Sequence, residues 1–164
     1  MTVTRAALGL GSNLSDRLAH ITSAIATIAS APGVTVVGVS PVVESVAVGG
    51  PDQPDYLNAV VVIDTSLSAR ALLALAQRCE AAAQRVRHER WGPRTLDVDV
   101  LAYGAEISDD PELTLPHPRA TQRAFVMVPW ATVDPQFVLA GRAVAEWASQ
   151  RGDHGIRPTS NVVD

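Results

Sequence analysis

The residues best equipped for chemistry lie close together. Arg85, Arg87, Arg90 and Arg94 fall within ten residues, and Asp97 and Asp99 follow directly. Residues i and i+2 of a strand project from the same face, close enough for two carboxylates to bind one metal ion or bridge two. A surface strand can carry two aspartates for solubility alone, and arginines can crown a helix end, where cations favour the C-terminal dipole. Taken together, however, four cations exceed two anions and leave positive charge for an anionic ligand. A magnesium-bound polyphosphate needs that mixture, with hard oxygen ligands for the metal and guanidinium forks for the phosphate oxygens.

Composition narrows the chemistry further. All 13 basic residues are arginine. Without lysine there is no Walker-type phosphate loop and no Schiff-base chemistry, so phosphate must be held by arginine, backbone amides or metal. A net charge of −4 gives no overall pull toward nucleic acid or anionic membranes. No stretch approaches the ~18 consecutive apolar residues of a membrane span, and the start of the chain lacks a basic segment followed by a hydrophobic core. A cytoplasmic protein with neither nucleic-acid nor membrane partners is expected. Cys79 has no cysteine to pair with and sits in an apolar helical pattern, as a buried filler would. At 164 residues and 47% apolar composition, a single domain over 1–164 with one sizeable core is expected.

The elements that must position these residues follow from periodicity. Val3 to Leu10 reads as a buried strand ended by Gly11, Ser12 and Asn13. Leu18, Ile21, Ile25 and Ile28 repeat at helical spacing from Leu14 to about Ser30, where Pro32-Gly33 stops the run. Val34 to Val39 and Leu57 to Asp64 are valine- and isoleucine-rich strands. Between them, Ser45 to Asp55 reads as an exposed loop rich in glycine and proline. Ser68 is a suitable N-cap for a helix reaching Gln84, with Leu72, Leu75, Ala76, Cys79 and Ala83 inward. From Leu96 to Leu101 a strand puts Val98 and Val100 on one face and both aspartates on the other. The order βαββαβ predicts an α+β fold, a ferredoxin-like antiparallel sheet with helices packed on it, extended at the C-terminus by another strand segment and helices.

The run from Arg85 to Leu101, RVRHERWGPRTLDVDVL, resembles the signature of the hydroxymethyl-dihydropterin pyrophosphokinases of folate synthesis. Leu10-Gly11-Ser12-Asn13-Leu14, Asp52 to Asn58, Leu115-Pro116-His117-Pro118 and Arg123-Ala124-Phe125-Val126 agree in order and spacing, so the resemblance covers about residues 5 to 137. Gln84, Val43 and Ser15 depart from the family's usual Gly, Tyr and Gly, and the tail is given no role. The resemblance implies transfer of pyrophosphate from ATP, the co-substrate, to a pterin alcohol, by a monomer using two Mg²⁺ ions. Asp97 and Asp99 would hold the metal, and Arg85 and Arg94 would contact the transferring groups. ATP would meet Gln77, Glu80, Arg87, Trp91, Thr114, His117 and Arg123. The pterin would meet the backbone of Ser45, Val46, Ala47 and Val48, the amide of Asn58, and the rings of Tyr56, Trp91 and Phe125.

Elementary chemistry agrees in part. Phosphoryl transfer depends on positioning and on neutralising charge over phosphate oxygens. A flat heterocycle needs aromatic faces and an amide edge, and the chain has only two Phe, two Tyr and three Trp to supply them. Gly9-Leu10-Gly11 could suggest a dinucleotide fold, but Leu14 stands at the third fingerprint position. Another two-metal transferase using an Asp-x-Asp pair, and a non-catalytic ligand-sensing module of the same fold, are the alternatives.

Overall fold

The first strand, β1 (Thr4–Ser12), sorts its side chains by size. Ala6, Leu8 and Leu10 enter one hydrophobic cluster, while Ala7 enters another; two-residue alternation places Gly9 and Gly11 on the Ala7 face. The computed structural model containing this strand describes residues 2–13, 16–45, 55–84, 96–152 and 155–159.

Helix α1 (Arg17–Ser30) buries Ile21, Ile25 and Ile28, as their spacing predicts. Its described start is Arg17, not Leu14, which lies outside the described residues. Asp16 caps it, accepting the Ala19 N–H at 3.1 Å and so satisfying one of the donors a helix start leaves unpaired. The chain then forms β2 (Val34–Val39), β3 (Val43–Ser45) and β4 (Tyr56–Thr65). Strand β3 was not expected. Both β2 and β3 pair antiparallel with β4, and Ser40 joins them by donating its N–H to Val60 O at 2.9 Å and accepting the Val60 N–H on Oγ at 2.8 Å.

Helix α2 (Ala69–Gln84) is capped by Ser68, whose Oγ accepts the Ala71 N–H at 3.1 Å, and Leu72, Leu75, Ala76, Cys79 and Ala83 are all buried. Burial pushes the Cys79 thiol above its ordinary pKa, which keeps it protonated and unreactive. Strand β5 (Asp97–Tyr103) follows. The sheet runs β5-β1-β4, then β2 and β3 side by side along β4, all antiparallel, which is the ferredoxin-like arrangement.

The remainder adds a third layer. After the hairpin β6 (Ser108–Asp110) and β7 (Leu113–Leu115), α3 (Ala124–Val133) lies against the sheet face opposite α1 and α2. There Val126, Met127 and fully buried Trp130 join Ala7, Val60, Val62, Leu101 and Ala102 in the second cluster. The hairpin β8 (Val138–Leu139) with β9 (Arg142–Ala143), and α4 (Val144–Arg151), back this layer. Strand β10 (Ile156–Pro158) then pairs with β3 at the sheet edge. β4 is therefore covered on both faces, which is why Leu57 to Ile63 are buried without a break. No helix among the described residues is long and apolar enough to cross a membrane.

Candidate active site

Register brings the chemistry together. Asn58 of β4 pairs with Gly11 of β1, and Gly11 pairs with Asp97 of β5; the next row is Val60, Gly9 and Asp99. Residues directly opposite in paired strands point to the same side, so one amide and two carboxylates stand in adjacent rows on one face. The aspartates are half-buried, and Val98 and Val100 are buried behind them as the alternation predicts. These two rows, apart from buried Val60, floor a cleft of about 620 Å³, which Tyr56, Arg119, Arg123, Phe125, and Gly155 and Ile156 of the C-terminal segment also line. The glycines keep the floor open. A Cβ on Gly11 would come within 3.3 Å of Asn58 Oδ1, and one on Gly9 within 3.2 Å of Leu101 Cδ2.

Two of the residues expected to meet the pterin are themselves joined. Asn58 donates through Nδ2 to Ser45 Oγ at 2.7 Å and reaches Tyr56 O at 3.5 Å. Both Asn58 and Ser45 are 7% exposed. Ser45 is thus a buried residue of β3 and not the start of an exposed loop; the pairing of Ser45 with Tyr56 explains the difference. Val46, Ala47 and Val48 lie outside the described residues. Phe125 lies in the first turn of α3, with the Arg123 guanidinium 5.5 Å from its ring centroid, so cation and aromatic face are presented together.

A second cavity, of about 240 Å³, lies beside β5, an edge strand of the sheet as described, lined by Leu73, Val98 to Val100, Pro111 to Thr114, His117 and Pro118. Asp99 borders both cavities. His117 is held there by its backbone N–H, which donates to Leu101 O at 2.8 Å, and its Nδ1 accepts the Arg119 N–H at 3.2 Å. Burial lowers the imidazole's pKa; the Asp99 charge opposes this, and Arg123 and Arg119 reinforce it, so the ring is neutral near pH 7. Thr114 Oγ1 donates to Asp110 O at 2.9 Å and faces the same cavity.

The other residues expected to meet ATP are dispersed. Gln77 is exposed on α2 and lines neither cavity. Glu80, also outside both cavities, accepts the Val98 N–H at 2.9 Å and so fastens α2 to β5. Arg85, Arg87, Trp91 and Arg94 lie outside the described residues. Among those described, there is no group of three or more His, Cys, Asp or Glu that could cage a metal. Two carboxylates on one face of a cleft fit a magnesium ion that keeps water and takes oxygens from a bound phosphate, as Mg²⁺ usually does.

Residues 7–135 match the family described as 7,8-dihydro-6-hydroxymethylpterin-pyrophosphokinase (HPPK). The chain belongs to this family. Among its relatives, the 2-amino-4-hydroxy-6-hydroxymethyldihydropteridine pyrophosphokinase of Methylorubrum extorquens is 45% identical over 155 residues, covering 94% of this chain and 98% of the relative. The enzyme of the same name from Mycobacterium tuberculosis is 43% identical over 151 residues, covering 85% and 78%. A crystal structure of Plasmodium falciparum HPPK-DHPS with pterin and p-hydrobenzoate superposes with a TM-score of 0.71 at 11% identity, covering 96% of this chain and 48% of that one. This chain thus spans about half of that longer protein, and the likeness concerns the fold.

Sequence reasoning missed two features, each of which draws on residues beyond 135, where the family match stops. One is the cavity wall at Gly155 and Ile156. The other is a charge cluster at the feet of the 46–54 segment. Glu44 accepts from Arg17 Nη1 at 2.9 Å and from Arg157 Nη2 at 2.8 Å, while Arg17 also donates to Asp55 O at 2.8 Å and Arg157 to Asp55 Oδ2 at 2.5 Å. The Arg17 and then the Arg157 hydrogen bonds hold the Glu44 carboxyl below its ordinary value of 4.5. Because the folded-state value is depressed, this contribution to stability is complete above the unfolded value and is lost as pH falls through the lowered one. Glu44→Gln is therefore expected to lower Tm at pH 7, with the gap to the parent closing as pH falls below the ordinary carboxyl value of 4.5 and through the depressed one, as read by thermal melts across pH.

Proposed function

We propose that the chain catalyses transfer of pyrophosphate from ATP to the hydroxymethyl group of 6-hydroxymethyl-7,8-dihydropterin, with Asp97 and Asp99 holding two Mg²⁺ ions between the two substrates. The observation that carries this reading is that Asp99 borders both cavities. The larger cleft, with its glycine floor, Asn58 amide and Phe125 ring, suits a flat heterocycle. The smaller, edge-strand cavity with Thr114 and His117 suits the nucleotide, which leaves the polyphosphate at the carboxylates where the two meet.

The pterin's hydroxyl oxygen attacks the β-phosphorus of ATP. A new P–O bond forms, the bond from the β-phosphorus to the bridging oxygen shared with the α-phosphate breaks, AMP departs with that electron pair, and the hydroxyl proton passes to solvent. Mg²⁺, when bound, offsets the negative charge on the phosphate oxygens. Asp97 and Asp99 fix where that charge is offset, Asn58 orients the ring edge, Phe125 covers its face, and Arg123 adds a guanidinium at the cleft wall. Arg85 and Arg94 complete the set as contacts to the transferring groups, and Arg87 and Trp91 as contacts to ATP. Gln77 and Glu80 stand further off, and Glu80 supports β5.

Incubation with ATP, Mg²⁺ and the pterin alcohol should release AMP in proportion to pterin consumed. ADP in its place would point to another two-metal transferase, and no turnover with intact pterin binding to a sensing module. A cytoplasmic monomer built as one domain over 1–164 belongs to the same proposal, its state in solution to be read by light scattering.

A further inference from the structure

Strand β10 lies beyond the residues that match the family, yet its side chains divide between two tasks. Ile156 pairs with Ser45 and lines the larger cleft; Arg157 pairs with Glu44 and enters the charge cluster. Successive strand residues point to opposite faces, so the same backbone that offers Ile156 to the cleft turns Arg157 toward α1 and the two feet of the 46–54 segment. Ile156 stands opposite Ser45, the residue that receives the Asn58 amide, so it flanks the group expected to orient the ring. Arg157 reaches Glu44 on one side of that segment and Asp55 on the other, and Thr159 Oγ1 donates to Val42 O at 2.9 Å just beyond. A strand of three residues at a sheet edge has little cohesion of its own, so these side-chain ties hold it in place.

We propose that Ile156 is a pterin-contacting residue that sets the room at one wall of the ring cleft, and that Arg157 is the positioning residue that keeps it there. This rests on the reading of the larger cleft as the pterin compartment. An apolar branched side chain beside the Asn58–Ser45 pair excludes water from hydrogen bonds that the ring edge must compete for. It also limits how far a substituent on that side of the ring can extend. Because the smaller cavity contains nothing from β10, the nucleotide should be indifferent to both residues.

The test uses the full chain and isothermal titration of 6-hydroxymethylpterin and, separately, of MgATP, with a melting curve for each variant. Ile156→Trp fills the wall and is expected to weaken pterin binding at least about tenfold while MgATP affinity stays within about twofold of the parent. Ile156→Ala opens the wall and is expected to weaken pterin binding several-fold, in the same selective way. Arg157→Ala is expected to raise KM for the pterin with kcat little changed, and Arg157→Lys, which keeps the charge but not the fork, to recover part of that loss. Parent-like pterin affinity in both Ile156 variants would overturn the contact, and equal losses for pterin and MgATP would reduce β10 to a structural role and overturn it too. A parent chain that binds no pterin would overturn this inference together with the proposed function, whereas selective failure of the variants leaves that function standing.

Discussion

Asp97→Ala and Asp99→Ala are each expected to lower kcat by about 10³-fold or more while leaving the protein folded. The expected loss is large because the transferred group carries its negative charge into the transition state, and the two carboxylates determine where the opposing charge sits. The fold should survive because both side chains are half-buried at the cleft, while the strand is anchored by Val98, Val100, Leu101 and Ala102 on its two covered faces. The variants need not behave alike. Asp99 borders both cavities and Asp97 only the larger, so loss of Asp99 is expected to weaken MgATP binding more. Steady-state AMP production at saturating Mg²⁺, with melting curves alongside, gives the answer; near-parent turnover in either variant would remove that residue from the metal site.

Asn58→Ala is expected to weaken pterin binding by about 1 to 3 kcal/mol, roughly 5- to 150-fold, with MgATP binding nearly unchanged. Its hydrogen bond to Ser45 complicates the reading, since truncation also leaves Ser45 Oγ without that donor in a buried position. A stability loss of about 1 kcal/mol is therefore expected as well. Ser45→Ala separates the two effects. It removes the tie and leaves the Asn58 amide in the cleft, so a smaller pterin penalty with a similar stability loss is expected. Equal pterin penalties in the two variants would assign Asn58 to holding β3 against β4 and not to reading the ring.

How much of this was visible beforehand depended on whether the signal was local. The aspartates' face follows from alternation over three residues, and Val98 and Val100 are buried behind them. The α2 face was equally legible because Leu72, Leu75, Ala76, Cys79 and Ala83 repeat with helical period over about three turns, and all are buried. Register is not local. Nothing in Gly9-Leu10-Gly11 says that these glycines will lie between Asn58 and Asp97, yet that placement makes the cleft floor. Ser45 was misread for the same reason: glycine and proline beyond it signalled a loop, while its pairing with Tyr56 is set by a strand eleven residues away. The unbroken apolar run Ala59 to Ile63 did hold a clue, since a strand covered on one face should alternate. It announced the third layer that α3 supplies. Strand β10 gave the weakest signal of all, three residues at an edge, and its role emerges only from Glu44 and Ser45 beside it.

The position of bond cleavage tests the central claim most directly. ATP labelled at the β-phosphorus, incubated with Mg²⁺, the pterin alcohol and the protein, should place the label in the pterin product while AMP emerges unlabelled. Label remaining in ADP, with an unlabelled pterin monophosphate, would mean that only the terminal phosphoryl group moves, and would contradict pyrophosphate transfer at Asp97 and Asp99.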